Sequence, residues 1–496
     1  MKKSFIAFFM ALTALMTLNA QSYTGPILVT RYGQTNSAIA TVTVNQQSNG
    51  LNTLILQVPF MGNDMTLNMT DVPSGTTGDI TVYSAERSVS TMYGTMYTIV
   101  FARVTDGMMT ANVSIPAYNT TMFFNTVGDH FQLPNSDMED WESSYTNEPN
   151  RWHGFKSAGG AFAGTSANIA SLGSSDDVRP GATGHSAVLT AGSFLTIVAN
   201  GTMTNGKLMA GSYEANSPSN HAEMDQANGT DDFYMPLYAK PDKFSVWLKY
   251  TQGTANANNK ASVSVKTFDG SYYQEPVDKT YTNVSGSIVG GSIAVCDWTH
   301  FTFDFDYDSY AANNAATEAI FVTFSTNGTP GSGSKNDAVY VDDMELVYLG
   351  AMTDLRYQGT TIAGWNPAVT TYNIEVAGEP SLDDFTASID GVSAVLTKSM
   401  EKTGDNTYRI AVSVVAGDLQ QASCYIITAT VSTTAGKRGD VNGDGEVDIN
   451  DVTALISFIL NGELTSIVEA NANMNGDNDI DINDVTALIS FILTGQ

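Results

Sequence analysis

Asp440 to Leu460 reads DVNGDGEVDINDVTALISFIL, and Asn473 to Leu493 reads NMNGDNDIDINDVTALISFIL. The run DVTALISFIL stands in both without a change. In the first copy oxygen side chains alternate as Asp440, Asn442 and Asp444, followed by Gly445, Glu446, Asp448 and Asp451. Carboxylates packed this densely repel one another until a cation neutralises them. A hard cation that takes roughly six to eight oxygens suits such a set, with Glu446 giving its backbone carbonyl. Gly445 permits the left-handed turn that wraps the loop. Behind the loop, Val452, Leu455, Ile456 and Ile459 fall at i, i+3, i+4 and i+7, the apolar stripe of a helix. The second copy offers Asn473, Asn475, Asp477, Asp479, Asp481 and Asp484, with Asn478 at the turn. Asn473 is uncharged where the first copy has Asp440, so the second loop is expected to hold its ion more weakly. Neither helix can bury its stripe alone, but two copies can bury each other's.

Oxygen at the first, third, fifth, ninth and twelfth loop positions, with Gly at the sixth, is EF-hand spacing, which makes Ca2+ the expected ion. Two departures stand out. Asp451 replaces the usual Glu at position twelve, and no amphipathic helix precedes the loop. A loop plus exiting helix, written twice over 437–496, resembles a type I dockerin. The resemblance implies a small α-helical calcium-binding module and a cohesin-type protein partner. It places recognition at the tenth and eleventh loop positions, Ile449 and Asn450 in one copy, Ile482 and Asn483 in the other. Clostridial dockerins often carry hydroxyl residues there, and this chain does not. Phe458 and Phe491 are either further contacts or part of the small core.

Upstream the pattern is mainly β and multidomain. From 23 to 128, IATVTVNQ (Ile39–Gln46), TLILQVPF (Thr53–Phe60), GDITVYSAE and YTIVFARV alternate with a period of two and no helical stretch between them. The opening YTGPILV and the later VPSGTTGDITV resemble the calycin-like β-barrel domain of exported Bacteroidetes proteins. From 129 to 350, NSDMEDW (Asn135–Trp141) and NEPNRWHGF (Asn147–Phe155) precede strand-like runs such as KFSVWLKYTQG and EAIFVTFSTNG, closing with AVYVDDMELVYLG. This segment is similar to a carbohydrate-metabolism domain of Bacteroidetes and, more loosely, to jelly-roll carbohydrate-binding modules. From 351 to 434, short strands and turns suggest an immunoglobulin-like sandwich. TTAGKRG is then a linker to the duplicated tail.

The first residues, MKKSFIAFFMALTALMTLNAQ, read as a secretory signal peptide over 1–20, which places the protein outside the cell or on its surface. No later run is apolar enough to span a bilayer. Two cysteines, Cys296 and Cys424, are too few for a disulfide framework. A net charge of −29 argues against binding nucleic acid or an anionic membrane.

The middle segment could bind a polysaccharide, hydrolyse one, or act as a structural or adhesive spacer without glycan binding. Sugars stack on aromatic faces beside planar polar groups. Tyr145, Trp152, Tyr234, Tyr272 and Tyr273 lie in turn-rich segments with such neighbours, whereas Trp247 and Trp298 sit in strand patterns that suggest core. The resemblance to jelly-roll modules implies a structural calcium between Glu139 and Asp342 or Asp343. Hydrolysis would need two carboxylates across a scissile bond, and Glu223 with Asp225 is the candidate pair. The third acid of the laminarinase-like pattern is missing, because position 228 is Asn. A non-catalytic, carbohydrate-binding, dockerin-tethered protein is the leading expectation, with a glycoside hydrolase as its rival.

Overall fold

The computed structural model describes residues 20–60, 63–77, 80–105, 107–126, 130–143, 146–227, 233–432, 437–461, 467–477 and 479–494. All of the expected leader except Ala20 lies outside these residues, as do Tyr145 and Asn478. The protein is mostly β, with its main helices in the duplicated tail. Contacts divide the chain into two units. The first runs up to Ala351 and takes in Asp390–Val395 and Val415–Ala422, and the second comprises Met352–Ile389, Leu396–Val414 and Ser423 onward.

The first unit begins with nine strands: β1 (Ala20–Arg31), β2 (Gln34–Gln46), β3 (Asn52–Phe60), β4 (Asn63–Val72), β5 (Ser74–Thr77), β6 (Ile80–Thr91), β7 (Gly94–Thr105), β8 (Met108–Ile115) and β9 (Thr120–Asn125). Their order is β4-β3-β2-β1-β9-β8-β7-β6-β5. β4 also lies against β6, which draws the ends of the sheet into a barrel-like form. The period of two is visible in β2, where Ala40, Val42 and Val44 are buried and Thr41 pairs its hydroxyl with Thr24 at 2.9 Å. β1 and β2 join through Tyr32 and Gly33 at φ of +49° and +80°, the two-residue hairpin turn that matches strand twist. Met65, Met69, Met96, Met109, Met122 and Phe124 help fill the interior, so the barrel has a packed core.

The jelly-roll domain follows in the same unit. Its antiparallel strands run in the order Ser171–Ser175, Ser186–Thr190, Ala338–Val347, Lys243–Thr251, Cys296–Asp306, Val284–Ile288, Ala261–Phe268, Ala319–Ser325 and Thr202–Thr204. Trp152, Phe244, Tyr250, Phe268, Phe321 and Phe324 are among its largest buried side chains. The NSDMEDW and NEPNRWHGF segments fold against each other and into this core. Asn135 donates to the carbonyls of Asp140 (2.8 Å) and Asn150 (3.0 Å), Trp141 bridges to Pro149, and Met138 and Trp152 are fully buried.

Most of 351–434 falls in the second unit. It forms a sheet of Thr360–Thr361, Met352–Tyr357 and Phe385–Ile389 and a sheet of Thr371–Val376, Ala422–Val431, Thr407–Val415 and Val395–Gly404. In the latter the first two strands are parallel. The boundary differs from the sequence expectation because parts of this segment are bound to the first unit. The Asp242 carboxylate accepts the N–H of Val392 (2.9 Å) as well as that of Leu349 (2.7 Å). The tail supplies helices α1 (Ile449–Asn461) and α2 (Ile482–Thr494).

Candidate functional site

The first tail loop turns its polar groups inward. Gly443 and Gly445 take φ of +74° and +90°, which glycine adopts without strain. The Gly445 N–H donates to Asp440 Oδ2 at 3.0 Å. Asp451 closes the loop at the start of α1. Its two oxygens accept the N–H groups of Asn442 (2.9 Å) and Asp448 (2.8 Å). Asp444 accepts the Glu446 N–H (2.9 Å) and the Asn442 amide (2.8 Å), and these bonds hold its carboxyl below the usual range. Asp440 and Asp451 are buried, and Asp440 Oδ1 lacks a hydrogen-bond partner. A buried carboxylate oxygen without a donor, in a loop whose other side chains are the oxygen-bearing Asn442, Asp444 and Asp448, suits a hard cation by its chemistry. Among the described residues no three or more His, Cys, Asp or Glu side chains are gathered as a metal site. Asn442 and Asp444 bond to each other instead.

The second loop repeats the closure. Asp484 accepts the N–H groups of Met474 (2.6 Å), Asn475 (3.0 Å) and Asp481 (2.9 Å). Asn475 donates to Asp477 at 2.7 Å, and Asp477 accepts the Asp479 N–H at 2.9 Å. The loops differ at their first position. Asn473 accepts the Gly476 N–H (2.8 Å) and donates its own amide to the Asp477 carbonyl, which Asp440 has no proton to imitate.

Of the described jelly-roll candidates, Tyr272 reaches Glu223, while Trp152 and Tyr273 are buried. Trp152 is a correction: its exposure is 0%, its Nε1 donates to the Pro134 carbonyl at 3.1 Å, and its ring packs 6.3 Å from Phe324. No face is left for a sugar. Tyr273 is likewise buried, with its hydroxyl donated to Glu275 at 2.9 Å. Tyr234 is half-buried, and burial pushes its hydroxyl up to about 12. Tyr272 is half-buried and donates to Gln274 (2.7 Å) and Glu223 (3.2 Å). Trp247 and Trp298, expected in the core, are half-buried on the outward side of their sheet. Trp247 stacks on His300 at 5.1 Å, and Trp298 donates to Asp177 at 2.9 Å.

Glu139, Asp342 and Asp343 each have partners within the protein. Glu139 accepts the His185 N–H at 2.8 Å, and Asp343 is paired with Arg179. Asp342 is buried, which raises its carboxyl to about 6. Glu223 and Asp225 both have partners within the protein. Glu223 Oε2 lies 3.0 Å from His221 Nε2, and that bond lowers its carboxyl. Asp225 caps its own turn, accepting the Ala227 N–H at 3.0 Å.

One feature escaped the sequence reading. A cleft of about 910 Å3 opens in the jelly-roll domain. Its floor is the outward side of Ala261–Phe268 and Ala319–Ser325, and its walls include the helix Ala163–Ile169 and the hairpin Gly192–Ala199. The lining comes from many separated segments, none of which carries a motif.

A family model then settles the tail. Residues 438–493 match the dockerin type I domain. Type I dockerins generally bind calcium. In this dockerin Val452, Leu455, Val485 and Leu488 are buried with Val441, Ala472 and Met474. Ile456, expected on the buried stripe, is instead exposed. The exposed apolar residues of α1 and its entry are Ile449, Ile456 and Leu460, and the second copy exposes the equivalent Ile482, Ile489 and Leu493. Phe491 packs against the core, and Phe458 is half-buried. A search of curated proteins found no match. Among solved structures the chain is similar to a Bacteroides fragilis protein provisionally assigned to the outer membrane, at 11% identity over 62% of this chain and 96% of that one, with a TM-score of 0.18. It is also similar to the N-terminal CBM22 tandem of Paenibacillus barcinonensis Xyn10C, at 9% identity over 66% and 93%, with a TM-score of 0.21. TM-scores this low fall short of a shared fold. No described helix is long and apolar enough to cross a membrane.

Proposed function

We propose that this is an exported, modular, non-catalytic protein whose dockerin, loaded with calcium, tethers it to a cohesin-type partner while its jelly-roll domain engages a carbohydrate. The observation that carries the tethering is the duplication in three dimensions. Each loop–helix copy exposes the same apolar triple, Ile449, Ile456 and Leu460 or Ile482, Ile489 and Leu493. Solvent-exposed apolar side chains repeated in register have no folding reason to be kept twice, but they serve recognition. Asp440, Asn442, Asp444, Asp448 and Asp451, with the Glu446 carbonyl, would hold one calcium. Asn473, Asn475, Asp477, Asp481 and Asp484, with the Asp479 carbonyl, would hold the other. Calcium held by these oxygens would fix where each helix starts. The bonding of Glu223 to His221 and the turn-capping role of Asp225 favour a binding role over a hydrolytic one.

The test is binding of the full chain to a panel of immobilised cohesin modules, with calcium and with a chelator. Binding should need calcium. Ile449→Lys with Leu460→Lys should weaken it only a few-fold while the second face remains, and adding Ile482→Lys with Leu493→Lys should abolish it. Binding that survives the quadruple change would remove these faces from the reading.

A further inference from the structure

We propose that the jelly-roll cleft is the glycan site, and that it takes an uncharged oligosaccharide of several rings. The inference rests on the carbohydrate reading of this domain and adds to it a location and a ligand class. At about 910 Å3 the cleft is near the top of the ~300–1,000 Å3 range of small-molecule sites, so a single monosaccharide would leave it largely filled with water.

The lining is amphipathic in a particular sense. On the floor, Ser262, Ser264, Thr323 and Ser325 alternate with Val263, Val265 and Phe324, which are buried beneath. The strand period of two therefore lays a stripe of hydroxyls along the bottom. Among the described residues, the Ser262 and Ser264 hydroxyls take no side-chain hydrogen bond. On the walls, Phe162 and Tyr213 meet edge to face at 6.3 Å. Tyr213 is 63% exposed, and Phe194 at the hairpin tip is 53% exposed. A ligand must therefore offer hydroxyls below and C–H faces to the side, as a pyranose chain does. An acyl chain would strip water from the floor and return no hydrogen bond.

Charge narrows the class further. Among the described residues no Lys or Arg lines the cleft, and the ionisable lining groups with charge are His221 and Glu275. Both are engaged by the protein. His221 faces the Pro218 carbonyl at 2.8 Å and Glu223 at 3.0 Å, two acceptors that require both ring protons. Glu275 accepts the Tyr273 hydroxyl at 2.9 Å and lies 3.9 Å from Lys266 Nζ. With no free cation among the described lining residues and a chain charge of −29, a uronic-acid or sulfated glycan would be repelled.

Calorimetry on the full-length protein tests this with cellohexaose, xylohexaose, laminarihexaose, mannohexaose and the anionic hexagalacturonate. At least one neutral hexasaccharide should bind and hexagalacturonate should not. Tyr213→Ala and Phe194→Ala, both at exposed positions, should each weaken binding by about fivefold or more with an unchanged Tm, and Ser264→Val should weaken it as well. Neutral binding left intact in all three variants would overturn the cleft assignment while leaving carbohydrate binding by this domain standing. Preference for hexagalacturonate, or displacement of the sugar by a fatty acid, would overturn the ligand class. Binding of none of the five sugars would overturn both this inference and the carbohydrate reading beneath it.

Discussion

Trp152 shows how far a single residue's role depends on what surrounds it. Its neighbours Asn150, Arg151 and His153 make a polar, turn-rich setting that reads as a sugar platform, yet the indole is the largest fully buried side chain among the described residues. Trp152→Ala should cost about 3–5 kcal/mol of stability, seen as a sharp fall in Tm. A variant that melts like the parent would mean that the ring is not core. His221 and Glu223 make a second residue-scale prediction. Burial alone would lower the imidazole, but its bonds to Glu223 and the Pro218 carbonyl outweigh that and raise it above 6.5. The same bond to His221 lowers Glu223 below 4.5 against its burial. A raised imidazole stabilises in full below its unfolded value and loses this as pH climbs through its folded one. A lowered carboxyl stabilises in full above its unfolded value and loses this as pH falls through its folded one. The pair therefore contributes most between pH 4.5 and 6.5. Melting curves should show the largest Tm loss for Glu223→Gln near pH 5.5 and the smallest in the alkaline range, whereas a loss independent of pH would contradict the pairing.

At the scale of elements, each dockerin loop and the helix it leads into work as one piece. Asp451 and Asp484 lie in the first turn of α1 and α2 and take the loop amides, so the helix N-terminus, which favours negative charge, is tied to the loop. Loops that hold calcium would make metal binding part of folding energy. Calorimetric titration of the full chain with calcium should resolve two unequal sites in the dockerin. The second should be weaker, because Asn473 is neutral and its amide is committed to the Asp477 carbonyl. Asp477→Ala should remove that weaker site and leave the other in place. Two equal sites, or loss of the stronger one, would count against the assignment of the loops. The exposed Ile456 belongs to this scale too: a stripe at i, i+3, i+4 and i+7 is wider than the seam two short helices share, so one member of it is left facing solvent.

At the scale of the whole molecule, the first unit is held by contacts between residues far apart in the chain. Arg103, in β7, donates from Nε to Thr105 Oγ1 at 3.0 Å and from its two terminal nitrogens to the carbonyls of Gly417 and Tyr238. Its guanidinium also lies 4.7 Å over the Phe131 ring. Arg103→Met would keep the bulk but remove the guanidinium donors to the buried Gly417 carbonyl and the part-buried Tyr238 carbonyl, at about 1–3 kcal/mol for the buried one. Urea unfolding should show a clear loss of stability of the first unit, and an unchanged midpoint would mean those carbonyls find water instead.

The sequence by itself determined whatever is local and periodic. The period of two in Ile39–Gln46, the two-residue turn at Tyr32 and Gly33, and the alternating oxygens from Asp440 to Asp451 each specify their geometry within a dozen residues. Backbone sterics and ligand crowding act at that range. Tertiary structure alone decided which side of a sheet meets a second layer. That choice buried Trp152, turned Trp247 and Trp298 outward, and paired Asp343 with Arg179. It also drew Val415–Ala422 into the first unit and gathered Ser264, Thr323, Phe162 and Tyr213 around one cleft. Strand alternation says that two faces differ but not what each will face, because burial depends on partners whose distance along the chain leaves no local trace.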